Sequence, residues 1–150
     1  SMKLWSLRGA STRRGNLIKA NSSNENMNET ILIIEDDAFL AGIYAQKLEA
    51  EGFKAVLSTN GEDGLKQVQK EKPALVLLDL VLPKMTGFEL LEILKHDPAT
   101  ASIPVLIMTN LAERKDVERC MALGAAGYVI KAHVLPHETV GKIKEILSKN

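Results

Sequence analysis

The run Ala74-Leu75-Val76-Leu77-Leu78, closed by Asp79, sets the frame for reading this chain. Apolar residues without polar alternation suit a strand covered on both faces, as in a parallel sheet. Ile31-Leu32-Ile33-Ile34 and Ile103-Pro104-Val105-Leu106-Ile107-Met108 have the same character, while Lys54-Ala55-Val56-Leu57-Ser58 and Gly127-Tyr128-Val129-Ile130 are weaker runs of strand length. Segments with helical spacing lie between them. Phe39, Ile43 and Leu48 fit a helix stopped at Gly52, and Leu65 and Val68 fit one halted before Pro73. Phe88, Leu91, Ile93 and Leu94 fit a third, ending near Asp97-Pro98. Val117, Met121 and Leu123 fit a fourth, closed by Gly124, and Val140, Ile143, Ile146 and Leu147 form the last. Strand and helix alternate five times, which predicts an α/β architecture with a doubly wound, five-stranded parallel sheet.

Composition agrees with a single domain. The 150 residues are 45% hydrophobic and 25% charged, which excludes wholesale disorder. Basic and acidic residues number 19 each, so no chain-wide cationic field exists to hold nucleic acid. One cysteine, Cys120, excludes an internal disulfide and any multi-cysteine metal knuckle, and fits a reducing compartment. The longest apolar stretch, residues 74–82, is broken by Asp79 and falls short of the ~20 residues that span a bilayer. No secretory signal is apparent, so the expected setting is cytoplasmic. The charges are uneven. Residues 1–29 carry five basic and two acidic groups, net +3; the remaining 14 basic and 17 acidic groups give residues 30–150 a net charge of −3. The first segment lacks lasting periodicity and reads as a flexible tail. Part of it reads as an artificial leader, since Ser1-Met2 resembles a cleavage scar and Met27 is a candidate native start. Residues 30–150 form the predicted domain.

In open parallel sheets, sites gather at the carboxyl ends of the strands. There the first run stops at Glu35-Asp36-Asp37, the third at Asp79, the fourth at Thr109 and the fifth at Lys131. Clustered carboxylates repel unless a cation sits among them, and hard oxygen ligands of this kind suit Mg²⁺. Each residue also has a plainer explanation. Asp36 and Asp37 are good helix caps, Thr109 is a common strand residue, and Lys131 alone is an ordinary solvated charge. Asp79, at the end of a buried run, is the hardest to dismiss, because a buried carboxylate needs a partner.

These residues carry a resemblance. Ile31-Leu32-Ile33-Ile34-Glu35-Asp36-Asp37, Leu77-Leu78-Asp79-Leu80-Val81-Leu82-Pro83-Lys84-Met85-Thr86-Gly87, Ile103-Pro104-Val105-Leu106-Ile107-Met108-Thr109 and Gly124-Ala125-Ala126-Gly127-Tyr128-Val129-Ile130-Lys131 resemble the motifs of the receiver domain of two-component response regulators. The resemblance implies a flavodoxin-like receiver fold over residues 30–149. It implies a phosphoacceptor at Asp79, and Mg²⁺ held by Asp36, Asp37, Asp79 and the Val81 carbonyl. It further implies a Lys131 charge for the phosphoryl group, and a switch in which Thr109 turns to that group and Tyr128 moves into the space left. The implied partners are a sensor histidine kinase or phosphotransfer protein and a downstream effector. The implied activity is a signalling switch that catalyses its own phosphorylation and dephosphorylation.

Two positions depart from the family pattern: Ala132 follows Lys131 where proline is common, and Asn110 follows Thr109 where a smaller residue is usual. Val81 and Leu111 place apolar groups near the path of attacking water, from which slow self-dephosphorylation is expected. His96, His133 and His137 have no metal-ligating company in the sequence. Alternative readings are an Mg²⁺-dependent phosphatase of haloacid dehalogenase type, a flavin carrier, and a binding module without chemistry. The first needs a second acid two residues after the nucleophile, where Val81 stands. The second needs a donor-rich first loop rather than Glu35-Asp36-Asp37. The third is at odds with the intact set of acids, hydroxyl and amine. With the chain ending soon after the last helical positions, direct nucleic-acid binding is not expected of it, nor is membrane insertion.

Overall fold

The computed structural model describes residues 28–149. The expected tail, residues 1–29, lies almost wholly outside them. Five strands, β1 (Thr30–Ile34), β2 (Lys54–Ser58), β3 (Leu75–Leu78), β4 (Val105–Thr109) and β5 (Gly127–Ile130), form one parallel sheet in the order β2-β1-β3-β4-β5. Five helices connect and close it: α1 (Ala38–Ala50), α2 (Gly61–Glu71), α3 (Gly87–His96), α4 (Arg114–Ala122) and α5 (Pro136–Ser148). A short 3₁₀ turn, Lys131–His133, precedes α5. This is the doubly wound parallel sheet expected from the alternation of runs, in the flavodoxin-like form that the resemblance implies.

Burial explains which runs were strong. Every residue of β3 and β4, and all of β1 after Thr30, is buried, because helices cover both faces of the central strands. β2 and β5 are the edges, so each shows a face to solvent and reads less clearly. Side chains alternate between two cores. One joins Ile31, Ile33, Leu75, Leu77, Leu106 and Met108 to α1 and α5. The other joins Leu32, Ile34, Val76, Leu78, Val105 and Ile107 to α2, α3 and α4.

Three helix faces differ from the sequence reading. In α3 the buried side chains are Leu90, Leu91 and Leu94, and Ile93 is exposed. In α1 the buried stripe is Ala41, Tyr44 and Leu48, and Phe39 is 80% exposed. Phe39 precedes Ala41 by two positions, which turns it to the far side of a helix with 3.6 residues per turn. In α4 the buried residue is Cys120, a packed thiol as its type favours, while Met121 stands exposed. Burial pushes the Cys120 thiol up to about 11, so it is inert. Among the described residues no helix is long and apolar enough to cross a membrane.

The order of strands sets the site. The chain moves outward from β1 to β2, then crosses back over β1 to β3, so the winding reverses between β1 and β3. The carboxyl ends of these two strands flank the crevice where such sheets hold their ligands.

Candidate functional site

The ladder between β1 and β3 pairs Ile34 with Leu78, and the Asp79 amide donates to the Ile34 carbonyl at 3.1 Å. Glu35 and Asp79 are therefore the next residues on adjacent strands, and strand parity turns both toward the α1/α5 side. Both are buried, at 1% and 4% exposure. The same parity carries Lys131 there from β5. Its ammonium donates to Asp79 Oδ2 at 2.7 Å, across 52 residues of sequence, and also forms an ion pair with Glu35 Oε1.

Asp36 completes the group. Glu35, Asp36 and Asp79 each offer a carboxylate oxygen within 4.8 Å of the others. Asp37, expected beside Asp36 as a metal ligand, is not among them. Its Oδ1 accepts from the amides of Phe39 and Leu40, both at 3.1 Å, and so caps α1. The correction has a local cause. The first turn of a helix presents unpaired amides, and the residue just before it is the one whose side chain reaches them. Glu35, which the resemblance leaves out of the ligand set, stands in this acidic group instead. The signal was present: Glu35 follows its apolar run directly, as Asp79 follows its own.

The loop after Asp79 is tightly built. The Val81 amide donates to Asp79 Oδ1 at 3.2 Å, which fixes the second carboxylate oxygen. A Cβ on Gly87 would come within 2.2 Å of the Asp79 carbonyl oxygen, so only glycine lets α3 start against this loop. Thr86 and Glu89 then close the α3 N-terminus as a reciprocal capping box.

Thr109 and Tyr128 lie on the opposite side of the same rim. Thr109 is fully buried, and its Oγ1 accepts a long hydrogen bond, 3.4 Å, from the Leu111 amide, leaving its own proton free to donate. The half-buried Tyr128 hydroxyl donates to the Leu111 carbonyl at 2.7 Å, and burial pushes its pKa up to about 12. At Lys131 every described peptide bond is trans, and the Ala132 amide donates to Asn110 Oδ1 at 2.9 Å. Asp36, Asp79, Val81, Thr109, Asn110, Leu111 and Lys131 line one open cleft of about 300 Å³.

The electrostatics are those of a crowded anionic pocket. Burial raises the Glu35 carboxyl above its ordinary range, against the pull of Lys131. For Lys131 burial is the largest single influence and acts downward, but the hydrogen bonds and charges of Asp79 and Glu35 together outweigh it, so its pKa is raised. Glu35 Oε1 is buried, and its partner there is the Lys131 ammonium. Three carboxylates against one ammonium leave net negative charge at the rim. The donor set fits a hard divalent cation.

A parallel sheet with acids and an amine gathered at its switch point defines a class: α/β proteins that do their chemistry at the carboxyl rim. Residues 31–138 match the family model of the response regulator receiver domain, and the chain belongs to that family, whose members act in two-component signalling. Among its relatives are the alkaline phosphatase synthesis transcriptional regulatory protein PhoP of Bacillus subtilis and the DNA-binding response regulator MtrA of Mycobacterium tuberculosis. Each is 32% identical, the alignments covering 83% and 84% of this chain and 50% and 54% of those proteins. The chain thus spans about half the length of these relatives. Among solved structures, a CheY-like response regulator receiver domain protein from Methanospirillum hungatei is 30% identical with a TM-score of 0.76, covering 81% of this chain and 95% of that one. A response regulator from Chloroflexus aurantiacus, described there as putative, is 28% identical with a TM-score of 0.75, over 81% and 98% of the two chains.

Proposed function

We propose that Asp79 is the phosphoacceptor of this receiver domain. A carboxylate oxygen of Asp79 attacks the phosphorus of a phosphohistidine; a P–O bond forms, the P–N bond breaks, and the imidazole leaves with a proton. The step brings an anion to an anion, so neutralising charge is most of the problem. The Lys131 ammonium, already between Asp79 and Glu35, needs only a small shift to meet a phosphoryl oxygen. Thr109 has a proton to donate to another. Glu35, Asp36 and Asp79, with the Val81 carbonyl, would hold Mg²⁺, with Glu35 in the place first expected of Asp37. When bound, Mg²⁺ supplies charge neutralisation for the transferred group and fixes its orientation.

The observation that carries this reading is the Lys131 ammonium bridging two buried carboxylates beside a third. Thr109 and Tyr128 are read as the switch: a Thr109 hydroxyl drawn to the phosphoryl group pulls on the Leu111 segment that Tyr128 grips. The surface formed by α4, β5 and α5 then changes, and an effector that prefers the new surface is favoured by phosphorylation through linkage. The phosphodonor is read as a histidine kinase or phosphotransfer protein. Phe39, Val81 and Leu135, exposed at the same end of the sheet, offer it apolar contact. Val81 also argues against a haloacid dehalogenase-type phosphatase, since it cannot transfer a proton. Val81 and Leu111 line the cleft, and a long-lived phosphoryl group is expected; a lifetime of seconds would contradict that.

Incubation with acetyl phosphate and Mg²⁺, followed by intact-mass measurement, tests the assignment. One phosphoryl group is expected on the wild type and none on Asp79→Asn. No gain on the wild type, or an equal gain on the variant, would overturn it.

A further inference from the structure

The hydrogen bond between Asn110 and Ala132 lies outside every role assigned above. It joins the residue after Thr109 to the residue after Lys131, at 2.9 Å and across 22 residues. Both residues are exposed, so the contact is not a by-product of core packing. Each half depends on the other. A proline at 132 has no N–H to give, and an alanine or glycine at 110 has no side-chain acceptor.

The turn that this bond holds has little else. Lys131–His133 is a single turn of 3₁₀ helix with no side-chain cap. Among the described residues, Asn110 is the one side chain that hydrogen-bonds its backbone. The neighbouring Leu111 carbonyl is gripped by Tyr128, so the segment after Thr109 is tied at two successive residues to β5 and its turn. Asn110 also lines the cleft with Asp79 and Lys131.

We propose that Asn110 is a positioning residue. By accepting the Ala132 amide it keeps the Lys131 turn, and so the ammonium, aligned with Asp79, and it couples that turn to Thr109. Small misplacements of a group that neutralises charge are costly to a transfer step. The proposal rests on the reading of Asp79 as phosphoacceptor.

The test compares Asn110→Leu, which keeps the bulk and removes the acceptor, with Asn110→Asp, which keeps an acceptor at the same reach. In Asn110→Leu, hydrogen exchange of the Ala132 amide should quicken, and phosphorylation by acetyl phosphate should slow, each by about three- to tenfold, the range one neutral hydrogen bond supports. The Mg²⁺ concentration giving half the maximal rate should stay put. Asn110→Asp should restore slow exchange at Ala132. Unchanged exchange in Asn110→Leu overturns the bond itself. Faster exchange with a wild-type phosphorylation rate overturns the positioning role. If the wild type gains no phosphoryl group, the assignment of Asp79 fails first and this proposal falls with it.

Discussion

Lys131 and Lys95 are half-buried lysines at opposite ends of the same sheet, and they are held in different ways. Lys95, in the last turn of α3, donates to the carbonyls of Ala101 and Ile103 at 3.0 and 2.7 Å near the amino end of β4. Burial lowers its pKa. Lys131, at the carboxyl end of β5, faces Asp79 and Glu35, and its pKa is raised. Both ammonium groups are hydrogen-bonded. What separates them is charge, because neutral carbonyls accept hydrogen bonds without fully offsetting the loss of water around an ion, whereas carboxylates do so. Lys95 staples a loop. Lys131 balances an anionic site.

The sharpest way to break the contrast is to remove each ammonium in turn. Lys131→Met should slow phosphorylation by acetyl phosphate by about a hundredfold, the usual scale for losing one preorganised charge-stabilising group. Lys95→Met should leave the rate near the wild-type value. Mass spectrometry over a time course reads both, and similar slowing in the two variants would erase the distinction.

A smaller effect is expected from the surplus of acids. In chelator, Asp36→Asn should raise the Tm slightly, because it removes one of three neighbouring carboxylates. Mg²⁺ should raise the Tm of the wild type by mass action but not that of the variant. A Tm indifferent to Mg²⁺ in the wild type would count against the cation site.

The two lysines should also respond oppositely to alkali. A raised folded pKa means that the stability due to Lys131 is fully present below the ordinary value of 10.5 and is lost as pH rises through the folded value. A lowered one means that the contribution of Lys95 is present above 10.5 and is lost as pH falls through the folded value. Urea unfolding at a series of pH values should therefore show the wild type losing ground to Lys131→Met on going alkaline, and gaining ground on Lys95→Met. Parallel profiles would show that the partners do not matter.

The smallest effect concerns Tyr128. In a Tyr44→Phe background its phenolate should appear only near pH 12, followed by ultraviolet absorbance. An ordinary midpoint near 10 would mean that the hydroxyl is not held in the half-buried position against Leu111.

Much of this was legible beforehand, for reasons that particular residues make plain. β1, β3 and β4 stood out because central parallel strands must be apolar on both faces, and the edges β2 and β5 were fainter because they need not be. The rim residues Asp79, Thr109 and Lys131 were found because they stop those runs. Helix faces were harder. Phe39 and Met121 are apolar yet exposed, and in a helix of few turns one such residue shifts the apparent stripe. The hydrogen bond from Ala132 to Asn110 was not legible, although both positions depart from the family pattern.

The sequence by itself determined the alternation of strands and helices, the register of polar residues at strand ends, and hence the rim on which chemistry can gather. These follow from local periodicity and from the cost of burying unpaired polar groups. Only the tertiary structure decided which of Glu35, Asp36 and Asp37 face Lys131. That choice depends on the pairing of β1 with β3, on an ammonium that arrives from 52 residues beyond Asp79, and on the amides of α1, which draw Asp37 away. Neighbours in sequence part company there because strand parity and helix capping act through space.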